Sequence, residues 1–474
     1  LVLEAAAQPL RKVRISGGGR CNVMHDATTW EPRGGRELLQ QRYPRGAAEL
    51  TGLLTKRFSP PDTAAWFEAE GVVLKREADG RVFPTTDDSG TIVDALLAAA
   101  SRAGVELQYG AKVNDVAVAG LDEATAADGG FAVRYVQRGE PRSVSSRTLV
   151  LATGSTSHAL AERLGHVVSP LVPSLFSFRL RPGSMLDGSL AGVSAADVQL
   201  TLAPTAVANP AAATAKASAE SASGRGKARG GRGRGRGRWR GRGRGLVSTR
   251  GPLLVTHRGL SGPAALRLSS FAALQLADDG YRGTLELNLV PELSRGQVAE
   301  ELAAFRVRWP GKAVANVNPF SLPKRLWAAV VIGRPPDSTV AGSAEAAEAA
   351  AHGGGGGGGG DADVARTVDP TTRWDALSNA DLRALEARMC RAPLPFSGKD
   401  SNKDEFVTAG GVCWSGVNAA RMESRHVQGL FFAGELLDVD GVTGGHNFQS
   451  CWSTGFVVGN AAAEYAGGEQ AAEA

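Results

Sequence analysis

Three glycine-rich stretches hold the residue types and spacings that could do chemistry. The run Arg11-Lys12-Val13-Arg14-Ile15-Ser16-Gly17-Gly18-Gly19-Arg20-Cys21-Asn22 reads as a short strand followed by three glycines. Without Cβ atoms, such a turn lets backbone N–H groups come close to a phosphate or a flavin, while Lys12, Ser16 and Arg20 offer charge and hydrogen bonds. Taken alone, the pattern also suits a plain structural turn. Thr148 to Gly154 (TLVLATG) reads as a buried strand ending in small residues, which permits contact with a cofactor or simply leads into a turn. In the third stretch a strand ends at Gly434-Glu435, and Gly444-Gly445 precede a helix that opens at Asn447. A carboxylate at that strand end can accept from ribityl hydroxyls. The helix N-terminus has free N–H groups and partial positive charge suited to a reduced flavin.

Other polar residues near these motifs admit two readings each. Cys21 beside the glycines could be a redox thiol, but no second cysteine lies at exchange spacing, and a lone cysteine usually packs as a small apolar residue. His257, in THRGLSGPA (Thr256 to Ala264), could donate a proton to substrate or bond to local backbone. Asp438 and Asp440 could act in catalysis or tie down the loop before the last helix. Flavin hydride chemistry needs no protein nucleophile, so no catalytic residue is assigned.

The elements that must position these motifs alternate between strand and helix. Leu1 to Glu4 is the end of an apolar strand. Asp62 to Gly71 is a short helix with Asp62 as cap and Gly71 as stop, and Thr91 to Ala103 is a second helix. Strands follow at Val105 to Tyr109, Ala111 to Val118, Phe131 to Gln137 and Arg147 to Leu151, an order that resembles a doubly wound α/β domain with a β-meander attached. Pro173 to Leu202 changes to short alternating strands, and Pro291 to Leu326 and Asn379 to Met389 read as helical. The α/β pattern returns at Gly429 to Phe432, apolar enough to be buried on both faces, and in the small-residue helix Asn447 to Tyr465. Ala203 to Gly245 and Val340 to Asp363, the latter with eight consecutive glycines, lack the apolar content to pack and read as disordered loop insertions.

A length of 474 residues implies two or three domains. Four cysteines (Cys21, Cys390, Cys413, Cys451), far apart and without Cys-x-x-Cys spacing, predict neither a disulfide framework nor a metal site. No apolar run reaches the ~18 residues of a membrane span, which predicts a soluble intracellular protein, cytoplasmic or organellar, the plastid included. The net charge of +5 is concentrated in Gly224 to Gly245, which carries nine arginines and one lysine; without those ten charges the remainder sits near −5. Arg-Gly repeats with a tryptophan are typical of RNA-contacting segments, and equally of a tolerated repeat expansion.

ISGGGRCN, GRVFP (Gly80 to Pro84), LVLATG, Gly165-His166 followed by PSL (Pro173 to Leu175), THRGLSGPA and AGELLDVDGVTGGHNFQSCWSTG occur in an order that closely resembles the BaiN-like family of NAD(P)/FAD-dependent oxidoreductases. The resemblance spans the chain apart from the two insertions. It implies an α/β fold in which a Rossmann-like FAD-binding domain is built from N- and C-terminal segments, 1–170 and 405–468. A β-barrel-like domain (171–288 and 390–404, interrupted by 203–245) and a helical domain (289–389, interrupted by 340–363) are inserted. It further implies FAD as cofactor, NAD(P)H as co-substrate and a small organic substrate.

Carried over by position, Glu4 resembles the acid that holds the adenosine ribose, and Val113 the backbone that contacts adenine. Gly17, Gly18, Gly19, Arg20 and Asn22, with Lys12 and Ser16 beside them, resemble the flavin and pyrophosphate contact. Ala152, Thr153, Gly154, Gly434, Glu435, Gly444, Gly445 and Asn447 resemble the rest of the cofactor shell. Two departures carry expectations. Family members begin with a strand and Gly-x-Gly-x-x-Gly loop about 30 residues before the position of Glu4. The sequence here opens at Leu1, inside an apolar stretch and without that loop, so it reads as truncated, with an open slot in the sheet and weakened cofactor retention, or as an inactive copy. His446 stands where the family usually has tyrosine, which implies altered substrate stacking.

Overall fold

The computed structural model describes residues 1–26, 35–119, 130–204, 246–333, 360–400 and 407–468. Nearly all of the predicted insertion 203–245, and 340–359 of the second, lie outside the described residues; 360–363 belong to the short helix Gly360–Ala365, which corrects the loop expected there. The chain divides into two compact units, Leu1–Ser174 with Phe406–Ala474, and Leu175–Glu405.

In the first unit, Val2–Glu4 pairs in parallel with Leu107–Tyr109 as a two-stranded sheet. A separate four-stranded sheet runs Val417–Asn418, Glu423–Ser424, Leu430–Phe432, Leu149–Leu151. Its last two strands are parallel, and Leu149–Leu151 forms its edge, leaving Val150 40% exposed. Leu430, Phe431 and Phe432 are fully buried, as their unbroken apolar sequence requires. The meander is present as Ala111–Ala119, Gly130–Gln137 and Glu140–Ser146. Its third strand carries no sequence signal, because EPRSVSS lies mostly exposed and has no apolar alternation.

Two local expectations need correction. The stretch before the three glycines is helical, not a strand: Arg11–Gly19 begins with an Arg14 N–H to Leu10 carbonyl bond, and regular geometry ends at Ser16. Val13 and Ile15 would share one face of a strand; the helix instead buries Val13 and leaves Ile15 49% exposed. The helix expected from Asp62 runs Pro60–Ala69, with Ser59 as its cap. Ser59 N–H donates to Asp62 Oδ2 at 2.7 Å while the Ser59 hydroxyl accepts from Asp62 N–H, so Asp62 is the reciprocal partner in a capping box.

In the second unit six strands close a barrel in the order Phe178–Leu180, Gly259–Ser261, Ser248–Val255, Ser194–Leu202, Gly283–Asn288 and Ala392–Lys399. Along Ser194–Leu202 the buried residues are Ala195, Val198, Leu200 and Leu202; a register shift between Ala195 and Val198 explains the one break in the two-residue period. The helices Arg295–Arg308 and Asn379–Arg391 both start with capping boxes, Ser294/Gln297 and Ser378/Asp381. Among the described residues, no helix is long and apolar enough to cross a membrane.

Candidate active site

The parallel pairing of Leu149–Leu151 with Leu430–Phe432 sets two motif ends side by side, and Ala433 N–H extends the ladder to the Leu151 carbonyl at 3.1 Å. Each strand then enters a single 3-10 turn through a left-handed glycine, Gly154 (φ 60°) or Gly434 (φ 69°). Only glycine adopts that backbone at little cost, which is why both strands end as Ala-Thr-Gly or Ala-Gly. The turns bring Glu435 to Gly154: a Cβ on Gly154 would stand 3.9 Å from Glu435 Oε2 and 4.0 Å from Lys12 Nζ. Lys12 donates to Glu435 in an ion pair, its own side chain 59% exposed and that of Glu435 18%. Lys12, Gly154 and Glu435, drawn from three distant stretches of sequence, therefore meet at one point, with Ala152 and Thr153 exposed just before Gly154.

A second group forms at the start of the long helix His446–Gly468. With its amide turned so that both ends are satisfied, Asn22 accepts from Gly445 N–H at 3.0 Å and donates to the Met24 carbonyl at 3.1 Å. A Cβ on Gly445 would lie 2.5 Å from the Met24 backbone carbon, so this glycine is required by chain packing. Asn447 exchanges two hydrogen bonds with Gly441 (2.7 and 3.0 Å) and closes the preceding loop. Arg45 clamps Asp440 from the other side, and Val442 N–H donates to the Arg42 carbonyl at 2.8 Å. Of the two readings of Asp440, the structure supports the loop tie. Asp438 shares that loop, and burial raises its carboxyl above the usual range.

Other expected contributors are placed elsewhere or differently engaged. Arg20 lies over the Phe83 ring, 4.0 Å from its centre, and donates to Glu77 at 2.6 Å. Ser16 donates to the Val13 carbonyl. Glu4 ends its strand and accepts from Ala6 N–H at 2.7 Å, while Val113 packs half-buried in the meander strand. Among the described residues, no hydrogen bond links Glu4 or Val113 to the Lys12–Glu435 group. Cys21 is fully buried and burial pushes its thiol up to about 11, which fits the packing reading rather than the redox one.

Two side chains not singled out from sequence stand at the helix start. His25 approaches the Gly444 carbonyl at 3.3 Å, and its ring lies 4.8 Å from that of His446. Burial, reinforced by the Arg42 charge, lowers the His25 pKa below its ordinary value. Tyr43 donates to the His446 carbonyl at 2.7 Å. The one signal available beforehand was His25 following RCNVM within the first motif.

FAD fits these residues by one structural test. A Cβ placed on Gly18 or Gly19 would meet nothing within 4 Å, although both are left-handed (φ 72° and 86°). Their bare backbone faces open space, as a planar or phosphate-bearing group requires, whereas Gly17 and Gly445 are filled by neighbouring chain.

Parallel strand ends, open glycine backbone and a polar pair are what a Rossmann-type FAD-dependent oxidoreductase presents to its cofactor, and the comparisons with known proteins place the chain in that class. The chain belongs to the HI0933-like family: the model described as "HI0933-like protein Rossmann domain" matches residues 1–461. It is 23% identical over 481 residues to the 3-dehydro-bile acid delta(4,6)-reductase of Clostridium scindens, covering 98% of this chain and 92% of that protein. It is 25% identical over 466 residues to the ribosomal RNA dihydrouridine synthase of Escherichia coli, covering 96% and 89%. Among solved structures it matches the 3-ketosteroid-Δ4-(5α)-dehydrogenase of Rhodococcus jostii at a TM-score of 0.40 and 14% identity, covering 97% and 91%.

Proposed function

We propose that this chain takes hydride from NAD(P)H through FAD and delivers it to a ring carbon–carbon double bond conjugated with a carbonyl. The observation that carries this reading is the meeting of Lys12, Gly154 and Glu435 at the ends of two parallel strands, with bare backbone at Gly18 and Gly19 in the same short segment as Lys12. Bound flavin supplies reversible hydride transfer. With FAD bound, Glu435 would accept from its ribityl hydroxyls, Lys12 would fix that carboxylate and offer a cation to the phosphates, and the N-terminal end of His446–Gly468 would favour negative charge near it. Asn22, Arg45 and Asn447 hold the loop that leads into that helix.

The relatives support the substrate type. One is named for reducing delta(4,6) bonds of a 3-dehydro bile acid and another for making dihydrouridine in ribosomal RNA; both names describe saturation of a ring double bond conjugated with a carbonyl. The test supplies purified protein with FAD and each nicotinamide, then a conjugated 3-oxo steroid or a uridine-bearing ribosomal RNA transcript. The expected result is flavin uptake, nicotinamide oxidation and a product heavier by two hydrogens. Failure to take up flavin, or to oxidise either nicotinamide, would overturn the reading.

A second reading, that the ring is a uridine within RNA, is favoured by the ten cationic residues of Gly224 to Gly245. Deleting that tract should abolish salt-sensitive RNA affinity while leaving flavin content unchanged. RNA affinity that survives the deletion would remove this support.

A further inference from the structure

A cavity of about 480 Å³ opens on the barrel unit, and its charged lining is predominantly cationic. Arg179 and Arg181 come from the strand Phe178–Leu180 and the residue after it; His257 and Arg258 come from the turn before Gly259–Ser261. That turn holds the histidine of the THRGLSGPA motif, to which the proposed hydride chemistry gives no role. Alternation along Phe178–Leu180 buries Phe178 and Leu180 in the barrel and turns Arg179 outward. A Cβ on Gly188 would lie 2.8 Å from the His257 carbonyl oxygen, so only glycine there lets the turn close against the wall.

The charge balance selects the ligand. Asp187 lines the cavity, but its carboxylate is occupied by the backbone N–H of Ser189 at 2.9 Å and by the Ser189 hydroxyl. Asp400 stands 3.8 Å from Arg179 and 3.5 Å from Arg258, close enough to offset part of their charge without a tight pair. Arg181 makes no ion pair among the described residues. Three guanidinium groups against two carboxylates leave one positive charge, which matches a singly charged anion. Guanidinium forks present paired N–H groups with the geometry of phosphate oxygens. The volume falls within the usual range for a small-molecule site, and the exposed walls divide about evenly between polar and apolar surface, which suits a nucleoside, with its polar sugar and flat base, beside the guanidinium groups.

We infer that this cavity is a phosphodiester-binding site of the barrel unit, taking one internucleotide phosphate with its flanking nucleoside. The inference does not depend on flavin chemistry and holds whether or not the chain reduces a uridine.

The probe is the dinucleoside monophosphate UpU, titrated calorimetrically against the full chain, with uridine lacking the phosphate and cholate as a carboxylate control. UpU should bind about tenfold or more tightly than uridine, and its log K should fall with log salt at a slope near −0.7. Hydrogen exchange should slow at residues 180–188 and 256–259. The Arg181→Ala, Arg258→Ala double variant should erase the preference for UpU over uridine. Asp400→Asn should tighten UpU severalfold by releasing Arg179 and Arg258, a gain that misfolding cannot produce. Equal binding of UpU and uridine, protection only outside those segments, tighter binding of cholate than of UpU, or an Asp400→Asn variant no tighter than the wild type would each overturn the assignment.

Discussion

Arg45 and Asp440 meet in a two-pronged ion pair, Nε to Oδ1 at 2.5 Å and the second guanidinium nitrogen to Oδ2, on a carboxylate with no solvent exposure. Asp440 Oδ2 also accepts from the Ser174 hydroxyl at 2.8 Å. A buried charge is tolerable only while its partners remain, so the pair fixes the loop from Leu437 to Gly445 ahead of the last helix. Asp440→Ala should therefore destabilise the protein by about 3–5 kcal/mol in urea unfolding, because it strands the guanidinium. Replacing both partners by apolar residues, Arg45→Met with Asp440→Leu, should recover much of that loss. A single variant that loses under ~1 kcal/mol would show that the clamp is not a structural tie.

Gly445 and Gly19 separate packing from ligand contact. Both are left-handed, so alanine costs ~1–2 kcal/mol in backbone strain at either position. At Gly445 the added methyl also meets Met24 at 2.5 Å, whereas at Gly19 it meets nothing. Gly445→Ala should thus lower the melting temperature more than Gly19→Ala. Gly19→Ala should keep the fold and weaken FAD uptake, read from flavin fluorescence after reconstitution. Equal flavin affinity in Gly19→Ala and wild type would remove Gly19 from the cofactor surface.

Lys12 and Glu435 form an exposed-to-half-buried pair, and pairs of that kind contribute little to folding. Lys12→Met and Glu435→Gln should each change unfolding free energy by less than ~1 kcal/mol. Both should nevertheless weaken FAD retention on gel filtration, Glu435→Gln through the lost anionic acceptor and Lys12→Met through the lost cation. Large stability losses with unchanged flavin retention would make the pair a structural bridge alone.

The sequence marked the chain segments that form the junction and left their partners invisible. Ala-Thr-Gly at 152–154 and Gly434-Glu435 are legible because a left-handed turn after a strand restricts residue choice so strongly, although only Leu430–Phe432 is buried throughout and the Leu149–Leu151 edge strand, expected to be buried, leaves Val150 exposed. The Lys12–Glu435 pair spans 423 positions, and nothing local in either stretch encodes it. Strand and helix were confused at Arg11 to Ile15 for a related reason. Five residues do not complete enough periods to tell two from 3.6, and tertiary burial of Val13 decides. Likewise, the barrel's six strands were visible only as alternating texture, since closure depends on pairing Phe178–Leu180 with Ala392–Lys399 across two hundred residues.

His166 gives the first unit a defined response to acid. Its ring is buried, accepts or donates at Ser424 Oγ at 2.8 Å, and lies 5.1 Å from the His426 ring and 4.6 Å from that of Phe432. Burial, with the nearby His426 second, lowers its pKa from 6.5 to about 4, so the folded protein keeps this ring neutral where the unfolded chain would protonate it. The unfolded state then binds more protons between pH 6.5 and 4, and stability falls as pH falls through that window while remaining fully present above it. His166→Gln, which retains a partner for Ser424, should unfold with a shallower pH dependence in that range, the slope differing by up to about one proton. Urea midpoints of wild type and variant at half-unit intervals from pH 7 to pH 4 measure the difference. Parallel curves would mean that His166 takes up its proton equally in both states, and that its burial does not restrain it.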